Sequence, residues 1–270
     1  MAVFSVIIGT YNHLCYLKLC LASLQRQTYK DFEVIVADDG SGVDVKKWLE
    51  SQNTPFSLTH LWHEDKGFRK CKMLNRAVQQ STTDYIVFID ADCILSRNFL
   101  YEHWRNHEKG VFLGGRRALV VKELAETVTF EMIQKGCFDG VTLWGISQVI
   151  KGKIKYYEEV LRPLYYFRKN SFLNLMGCNF SIYKSDLNLV NGFDEEYETS
   201  GGGEDTDISL RLKVAGCRMK SVRYCAIQFH LGYDIPEDKS KSAKMFSEKK
   251  KLIKTTADAK SVKSSLRDIH

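Results

Sequence analysis

Proline is scarce in this chain of 270 residues, and its 3 prolines and 18 glycines argue against low-complexity sequence. No run of about 18 apolar residues occurs, so we expect no membrane-spanning helix. The start, MAVFSVIIGTYN, has no basic segment ahead of its apolar run, so we expect no signal peptide. No CxxC pair occurs among the 8 cysteines, which predicts free, buried thiols in a reducing cytosol.

The chain does contain enough apolar residues for a large core. Hydrophobic residues make up 44% of it and aromatic residues 12%, which suits one large α/β domain or one domain with a helical extension. Residues 237–270 hold ten basic and five acidic residues, whereas the whole chain has a net charge of +6. The pattern predicts a nearly neutral folded part with a basic tail, and we expect no nucleic-acid partner.

Over the first 95 residues, short apolar runs alternate with segments whose apolar residues recur at helical spacing. This alternation predicts a parallel, doubly wound sheet whose strand-end loops share one rim. The predicted strands are residues 3–9, 32–37, 57–62 and 85–89, and the predicted helices are 13–26, 43–50 and a segment around 71–78.

The pattern is less regular after Cys93. We predict a helix with Ser96 as its N-cap, and a later helix that starts at Glu204. Shorter segments predict strands, within residues 111–121, 176–183 and 219–228. We therefore expect a catalytic domain over 1–235, divided at residue 95 into a nucleotide-binding half and an acceptor-binding half, and a helical or flexible tail over 236–270.

Two carboxylates follow the most apolar of these strands, in the segment Asp90-Ala91-Asp92. Alternate residues of an extended segment point the same way, so both side chains can converge beyond the strand end. Carboxylates at the carboxyl edge of a parallel sheet suit a hard divalent cation. A polar turn that merely closes the strand is the alternative.

Six ordered segments extend this pattern over about residues 3–230: SVIIGTYN, VIVADDGS, GFRKCKMLNRAV, FIDADC, GCNFSIYKSDLNLVNGFDE and GGGEDTDISLRL. In these segments the chain resembles the family-2 inverting glycosyltransferases. The last one also resembles the galactosyltransferase-type C-terminal segment of bacterial polysaccharide polymerases and animal β-galactosyltransferases. The resemblance implies a Rossmann-like, mostly parallel α/β fold of the nucleotide-diphospho-sugar transferase (GT-A) type, with a C-terminal helical tail.

The resemblance also implies a donor site and a metal site. Positions that hold the nucleotide and sugar of a UDP-sugar match Thr10, Asn12, Asp39, Arg69 and Asp90. Metal-binding positions match Asp92, the last residue of the DxD motif, and His230. Mn²⁺ or Mg²⁺ is implied, and histidine favours Mn²⁺ because imidazole is a softer ligand than carboxylate.

An acidic pair at the start of the helix predicted from Glu204 matches the family's catalytic positions. Asp205 is implied as the base that takes the proton of the acceptor hydroxyl, and Glu204 as a ligand of the acceptor sugar. The helix N-terminus is expected to lower the pKa of Asp205, and complementing the helix dipole is a sufficient role for the pair taken alone. Trp144 is the best candidate for an acceptor platform, because Gly140 and Gly145 predict a loop around it.

The implied function is metal-dependent glycosyl transfer to a glycan or lipid-linked oligosaccharide, in surface polysaccharide or lipopolysaccharide synthesis. A nucleotidyltransferase is one alternative, although GTYNHLCYL lacks a glycine-rich basic phosphate loop. A non-catalytic sugar-nucleotide-binding protein is the other, and the presence of both Asp92 and Asp205 argues against it.

The basic tail leaves two locations open. It predicts either a peripheral contact with the inner face of a membrane, through a basic amphipathic helix, or a segment that packs on the domain or is disordered. We otherwise expect a cytoplasmic protein. The sequence does not indicate an oligomeric state.

Overall fold

The computed structural model describes residues 3–163, 174–199, 203–232 and 240–268. Within these residues, no helix combines the length and apolar character needed to cross a membrane. All eight cysteines lie in the described parts and are free thiols, as predicted. Six of them are buried, whereas Cys15 is exposed and Cys137 is half-buried, so the prediction of buried thiols is wrong for these two.

The first 90 residues form the regular part of the fold. Four parallel strands pair in the order β4-β1-β2-β3. Their bounds agree with the predicted ones to within one residue, because most of these strands are continuous apolar runs. The elements are β1 (Phe4–Thr10), α1 (Leu14–Gln25), β2 (Phe32–Asp38), α2 (Val43–Glu50), β3 (Ser57–Trp62), α3 (Lys70–Gln80) and β4 (Tyr85–Asp90).

The second part consists of shorter elements. They are β5 (Cys93–Leu95), α4 (Phe99–Asn106), β6 (Val111–Gly114), β7 (Ala118–Val120), α5 (Lys122–Ala125), α6 (Phe130–Gln134), α7 (Leu143–Ile150), β8 (Ile154–Lys155), a 3₁₀ turn (Tyr157–Val160), β9 (Phe180–Tyr183), α8 (Lys184–Asn188), α9 (Glu204–Val214), β10 (Arg218–Ser221) and β11 (Gln228–Leu231).

One seven-stranded sheet joins the two parts, in the order β10-β6-β9-β4-β1-β2-β3. β9 runs antiparallel to both of its neighbours, β4 and β6, whereas the other pairings in this sheet are parallel. Separate apolar clusters cover its two faces, one formed with α1 and the other with α3 and α9. The predicted doubly wound, mostly parallel α/β architecture is confirmed.

A smaller sheet has the order β5-β11-β7-β8. The apolar run 219–228 predicts one strand, but the structure has two, β10 and β11, and they belong to different sheets. β11 is antiparallel to β5, with His230 opposite Cys93. His230 thus lies inside a strand and next to the DxD segment.

Helix α4 begins at Phe99, and Ser96 is not its N-cap. The Ser96 carbonyl accepts a hydrogen bond from the Phe99 amide across a turn, and Asn98 occupies the cap position without a side-chain cap bond. Gln27 closes the first turn instead, because its Oε1 accepts a hydrogen bond of 3.0 Å from the Leu100 amide. A distant side chain therefore sets the start of this helix.

The basic tail packs on the domain, which is one of the arrangements that its sequence leaves open. Its helices are α10 (Ser240–Leu252) and α11 (Thr256–Lys260). Three of its side chains pack against the cluster that contains parts of α3 and α9, namely Met245, Phe246 and Ile253.

Polar contacts also hold the tail. The Lys249 ammonium pairs with Asp194 and Glu196. The fully buried Asn75 on α3 donates hydrogen bonds to the Phe193 carbonyl and to Ser264 Oγ. Among the tail's described side chains, Leu252 is the large apolar one that remains exposed.

Candidate active site

A cleft of about 290 Å³ opens at the carboxyl end of the parallel strands. β1 and β4 end side by side there, with Gly9 opposite Asp90. The carboxyl edge of a parallel sheet is where ligands bind in open α/β folds. Four of the predicted site residues line this cleft: Thr10, Asp39, Asp90 and Asp92.

Asp39 is fixed in the cleft wall from two sides. Its Oδ1 lies 2.7 Å from His63 Nε2, and its Oδ2 accepts a hydrogen bond of 2.8 Å from the Arg69 amide. Burial raises the pKa of Asp39 by more than these contacts lower it. The Arg69 guanidinium donates to the Glu64 carbonyl, so Arg69 contacts Asp39 through its backbone.

Lys70 interacts with Asp90 and also with the acidic pair Glu204 and Asp205. Its ammonium donates a hydrogen bond of 2.6 Å to Asp90 Oδ1. Burial lowers the pKa of Lys70, but the charges of Asp90, Glu204 and Asp205 outweigh this effect and raise it. A Cβ on Gly9 would lie 3.0 Å from Lys70 Cε, so glycine there leaves room for the lysine.

Asp92 and His230 form the candidate metal site. His230 Nε2 lies 3.1 Å from Asp92 Oδ2. Two ligands bound at right angles, each at roughly 2.1 Å, would be about 3 Å apart, so this pair fits one edge of a coordination shell. In the described ranges, no group of three or more His, Cys, Asp or Glu side chains is placed to hold a metal. A cation held here would take its other ligands from phosphate oxygens and water.

Asp205 lies in the first turn of α9 and accepts a hydrogen bond from the Gly177 amide. A Cβ on Gly177 would lie 2.5 Å from Asp205 Oδ1, so this contact requires glycine. The expectation of a lowered pKa is wrong: burial raises the pKa of Asp205, and Lys70 and the Gly177 amide offset only part of that effect. A higher pKa makes this carboxylate a stronger base.

Glu204 has a pKa raised to about 7, first by burial and then by the charge of Asp205. At neutral pH its side chain is therefore partly protonated, and it can both donate and accept a hydrogen bond. The pair therefore contains one group, Glu204, that titrates near pH 7.

We expect Glu204→Gln to stabilise the fold at high pH. A carboxyl group whose pKa is higher in the folded than in the unfolded state costs stability progressively as the pH rises through that interval. The variant should match the wild type near pH 4.5 and exceed it at pH 8 by about 1–3 kcal/mol in the free energy of unfolding. Urea unfolding at several pH values measures this, with the exposed Glu248→Gln as the control. A difference that does not change with pH would contradict the prediction.

Asn12 lies outside the cleft lining. Its Oδ1 accepts a hydrogen bond of 2.9 Å from the Gly42 amide, and its own amide donates to Ser41 Oγ at 2.8 Å. These bonds tie the loop after β1 to the loop after β2. Its role in donor binding stays a prediction, and its visible effect is to position the loop of Thr10.

Trp144 lies on helix α7, where the glycines predict a loop. Gly145 is inside that helix, and its missing Cβ leaves room for the Tyr157 hydroxyl. The Trp144 ring packs edge-on against Phe138, with a centroid distance of 4.9 Å. Its role as an acceptor platform stays a prediction.

Three residues of the site were not predicted as ligands: His63, Lys70 and Arg117. The sequence does place Lys70 on the inner side of α3, because Leu74 and Ala77 follow it at i+4 and i+7 and both are buried. Arg117 lies between two short strands and has no such signal. Its charge nevertheless lowers the pKa of both Asp92 and Asp205.

Comparisons with known proteins agree with this geometry. The sequence model of Glycosyl transferase family 2 matches residues 5–144. A second model, described as the N-terminal domain of galactosyltransferase, matches residues 164–233. The chain is 27% identical over 229 residues to chondroitin synthase from Escherichia coli, in an alignment that covers 81% of this chain and 33% of that protein. The chain spans 23% to 52% of the length of several curated relatives.

Solved structures share the fold. TarS of S. aureus in complex with UDP-GlcNAc aligns with a TM-score of 0.57 at 20% identity, covering 86% of this chain and 59% of that one. The mannosyltransferase PcManGT from Pyrobaculum calidifontis, in complex with GDP-Man and Mn²⁺, aligns with a TM-score of 0.54 at 17% identity, covering 97% and 65%. At these identities the likeness shows a GT-A fold.

Proposed function

Since the chain belongs to glycosyl transferase family 2, we propose that it transfers a sugar from a UDP-sugar to an acceptor hydroxyl, with inversion at the anomeric carbon. The observation that carries the proposal is the position of Asp205. It is a carboxylate with a raised pKa, within electrostatic reach of Lys70 and Asp90, which line the cleft at the sheet edge.

The donor would occupy this cleft. Thr10 and the fixed carboxylate of Asp39 would hold the base and ribose through hydrogen bonds, and Arg69 and Asp90 would contact the diphosphate and sugar. Solved relatives of the same fold hold UDP-GlcNAc in one case and GDP-Man in another, so the fold leaves the nucleotide open. The choice of UDP rests on the ordered segments around Thr10 and Asp39.

Asp92 and His230 would hold the cation, which we propose to be Mn²⁺ or Mg²⁺. When bound, it supplies positive charge that stabilises the leaving diphosphate. Lys70 and Arg117 add positive charge near Asp92, and both lower its pKa. These two side chains favour the binding of an anionic donor.

Asp205 would take the proton from the attacking hydroxyl on the face of the sugar opposite the diphosphate. Glu204 would hold the acceptor sugar, because its partly protonated carboxyl can exchange hydrogen bonds with sugar hydroxyls. Trp144 would offer its ring to the acceptor chain. The names of relatives such as chondroitin synthase support a glycan acceptor and a role in polysaccharide synthesis. We propose a cytoplasmic location and either a glycan or a lipid-linked acceptor.

A nucleotidyltransferase does not agree with the family, and the presence of both Asp92 and Asp205 argues against a purely binding protein. Incubation with a panel of UDP-sugars and Mn²⁺ tests the proposal, with thermal shift reporting binding and UDP release reporting turnover. We expect selective stabilisation by one UDP-sugar and a product of inverted anomeric configuration. Stabilisation by GDP-mannose alone would contradict the donor assignment, and a retained configuration would contradict the mechanism.

A further inference from the structure

Helix α7 presents an apolar face to solvent. Leu143, Ile146 and Ile150 stand at i, i+3 and i+7, so they share one side of the helix. Their exposed fractions are 89%, 40% and 81%. The opposite side of the helix is covered, because Trp144 and Val149 pack against an apolar cluster. Clustered exposed apolar side chains of this kind mark an interaction surface.

Three lysines follow this face directly: Lys151, Lys153 and Lys155. The Lys153 amide donates to the Gln148 carbonyl, so the chain folds back against the end of the helix. Residues 140–157 contain these three lysines and no acidic residue. Of the flanking acids, Asp139 pairs with Arg26 and Glu159 pairs with Arg223. The exposed Glu158 is close enough to Arg223 to raise its pKa.

We propose that this α7 surface, made of the three apolar and three basic residues, binds an anionic phospholipid membrane. Apolar side chains that insert at headgroup depth, with lysines beside the phosphates, are the features of an interfacial helix. Charge favours this occupant over a second copy, because a symmetric contact would bring two sets of three lysines together. Lysine is also depleted from the cores of protein interfaces.

The α7 surface fits a membrane better than the tail does. The apolar tail residues Met245 and Phe246 pack inward, and Lys249 is held by Asp194 and Glu196. Leu252 is left as the tail's exposed apolar side chain among those described. The α7 surface therefore predicts a membrane-facing acceptor half, independently of which sugar is transferred.

Flotation of the full chain with vesicles tests this. The wild type should bind vesicles of phosphatidylcholine and phosphatidylglycerol, should not bind phosphatidylcholine alone, and should be released by salt. Leu143→Gln with Ile150→Gln should weaken binding by at least about 10-fold. Lys151→Gln, Lys153→Gln and Lys155→Gln together should weaken it by roughly 100-fold. The matched controls, Leu252→Gln and Lys250→Gln on the tail, should bind as the wild type does.

The proposal is overturned by a wild type that floats with neither vesicle, or equally with both, and by α7 variants that float like the wild type. Loss of flotation in the Leu252→Gln control would move the contact to the tail and also overturn it. Sedimentation velocity tests whether a second copy of the chain binds this surface instead. Self-association that the α7 variants abolish, without vesicle binding, would identify an interface between copies and would overturn the proposal. Nucleotide binding by each variant, measured in parallel, confirms that the fold is intact.

Discussion

Asp205→Asn is expected to lower kcat by about 10²–10⁴-fold, the usual contribution of a positioned general base. Asparagine keeps an oxygen that can accept the Gly177 amide, so the start of α9 should stay in place. It cannot take a proton from the acceptor. Affinity for the nucleotide, measured by calorimetry, should change little, because the proposed nucleotide contacts are with Thr10 and Asp39 in the cleft.

Glu204→Gln is the matched comparison, and we expect it to act mainly on the KM for the acceptor. If the acidic pair only complements the helix dipole, each variant should lose about 0.3–1 kcal/mol of stability and no selective turnover. A near-normal kcat for Asp205→Asn would exclude it as the base. Asp194 and Glu195 would then be poor replacements, because Lys249 holds the first and Asn75 and Ser265 hold the second.

Asp92→Asn should reduce the metal-dependent affinity for UDP by at least about 100-fold. Loss of a residue that only supports a metal ligand commonly lowers metal affinity by about 10- to 100-fold, and Asp92 is proposed to be a ligand itself. An amide oxygen is a weaker ligand than a carboxylate, and it brings no negative charge to offset a cation. Calorimetry of UDP with and without Mn²⁺ measures the effect. The metal-independent part of the affinity should remain.

Asp84→Asn is the control for this experiment, because Asp84 is an exposed carboxylate at the opposite end of the same strand. It should leave both affinities unchanged. Equal metal dependence in Asp92→Asn and the wild type would remove Asp92 from the metal site. His230→Ala should then be tested alone, because its imidazole would be the remaining protein ligand.

The sequence predicts the strands of the first 95 residues closely. Most of these strands are buried on both faces, so they are uninterrupted apolar runs in the sequence. The strands of the second sheet are two to four residues long, too short to show a period. The start of α4 depends on Gln27, a residue far away in sequence. Local pattern cannot contain such information.

The candidate site shows the same division. Residues at strand ends, such as Thr10 and Asp90, could be predicted because parallel strands end at one rim. The contact of Asp92 with His230 depends on the antiparallel register of β5 and β11, which the sequence does not indicate. The direction of the pKa shift of Asp205 could not be predicted either, because it depends on burial produced by the packing of other segments.

The contacts of Asn75 bear on how the chain acquires its structure during synthesis. Its side-chain amide has partners 118, 120 and 189 residues further along the chain. At translation rates of about 5–20 residues per second, roughly 10–40 s separate the synthesis of Asn75 from that of Ser264. Through that interval the nascent chain leaves uncovered the part of the apolar cluster against which Met245, Phe246 and Ile253 later pack. Such non-local pairing slows folding, so we expect this enzyme to depend on chaperones until residues 240–268 emerge.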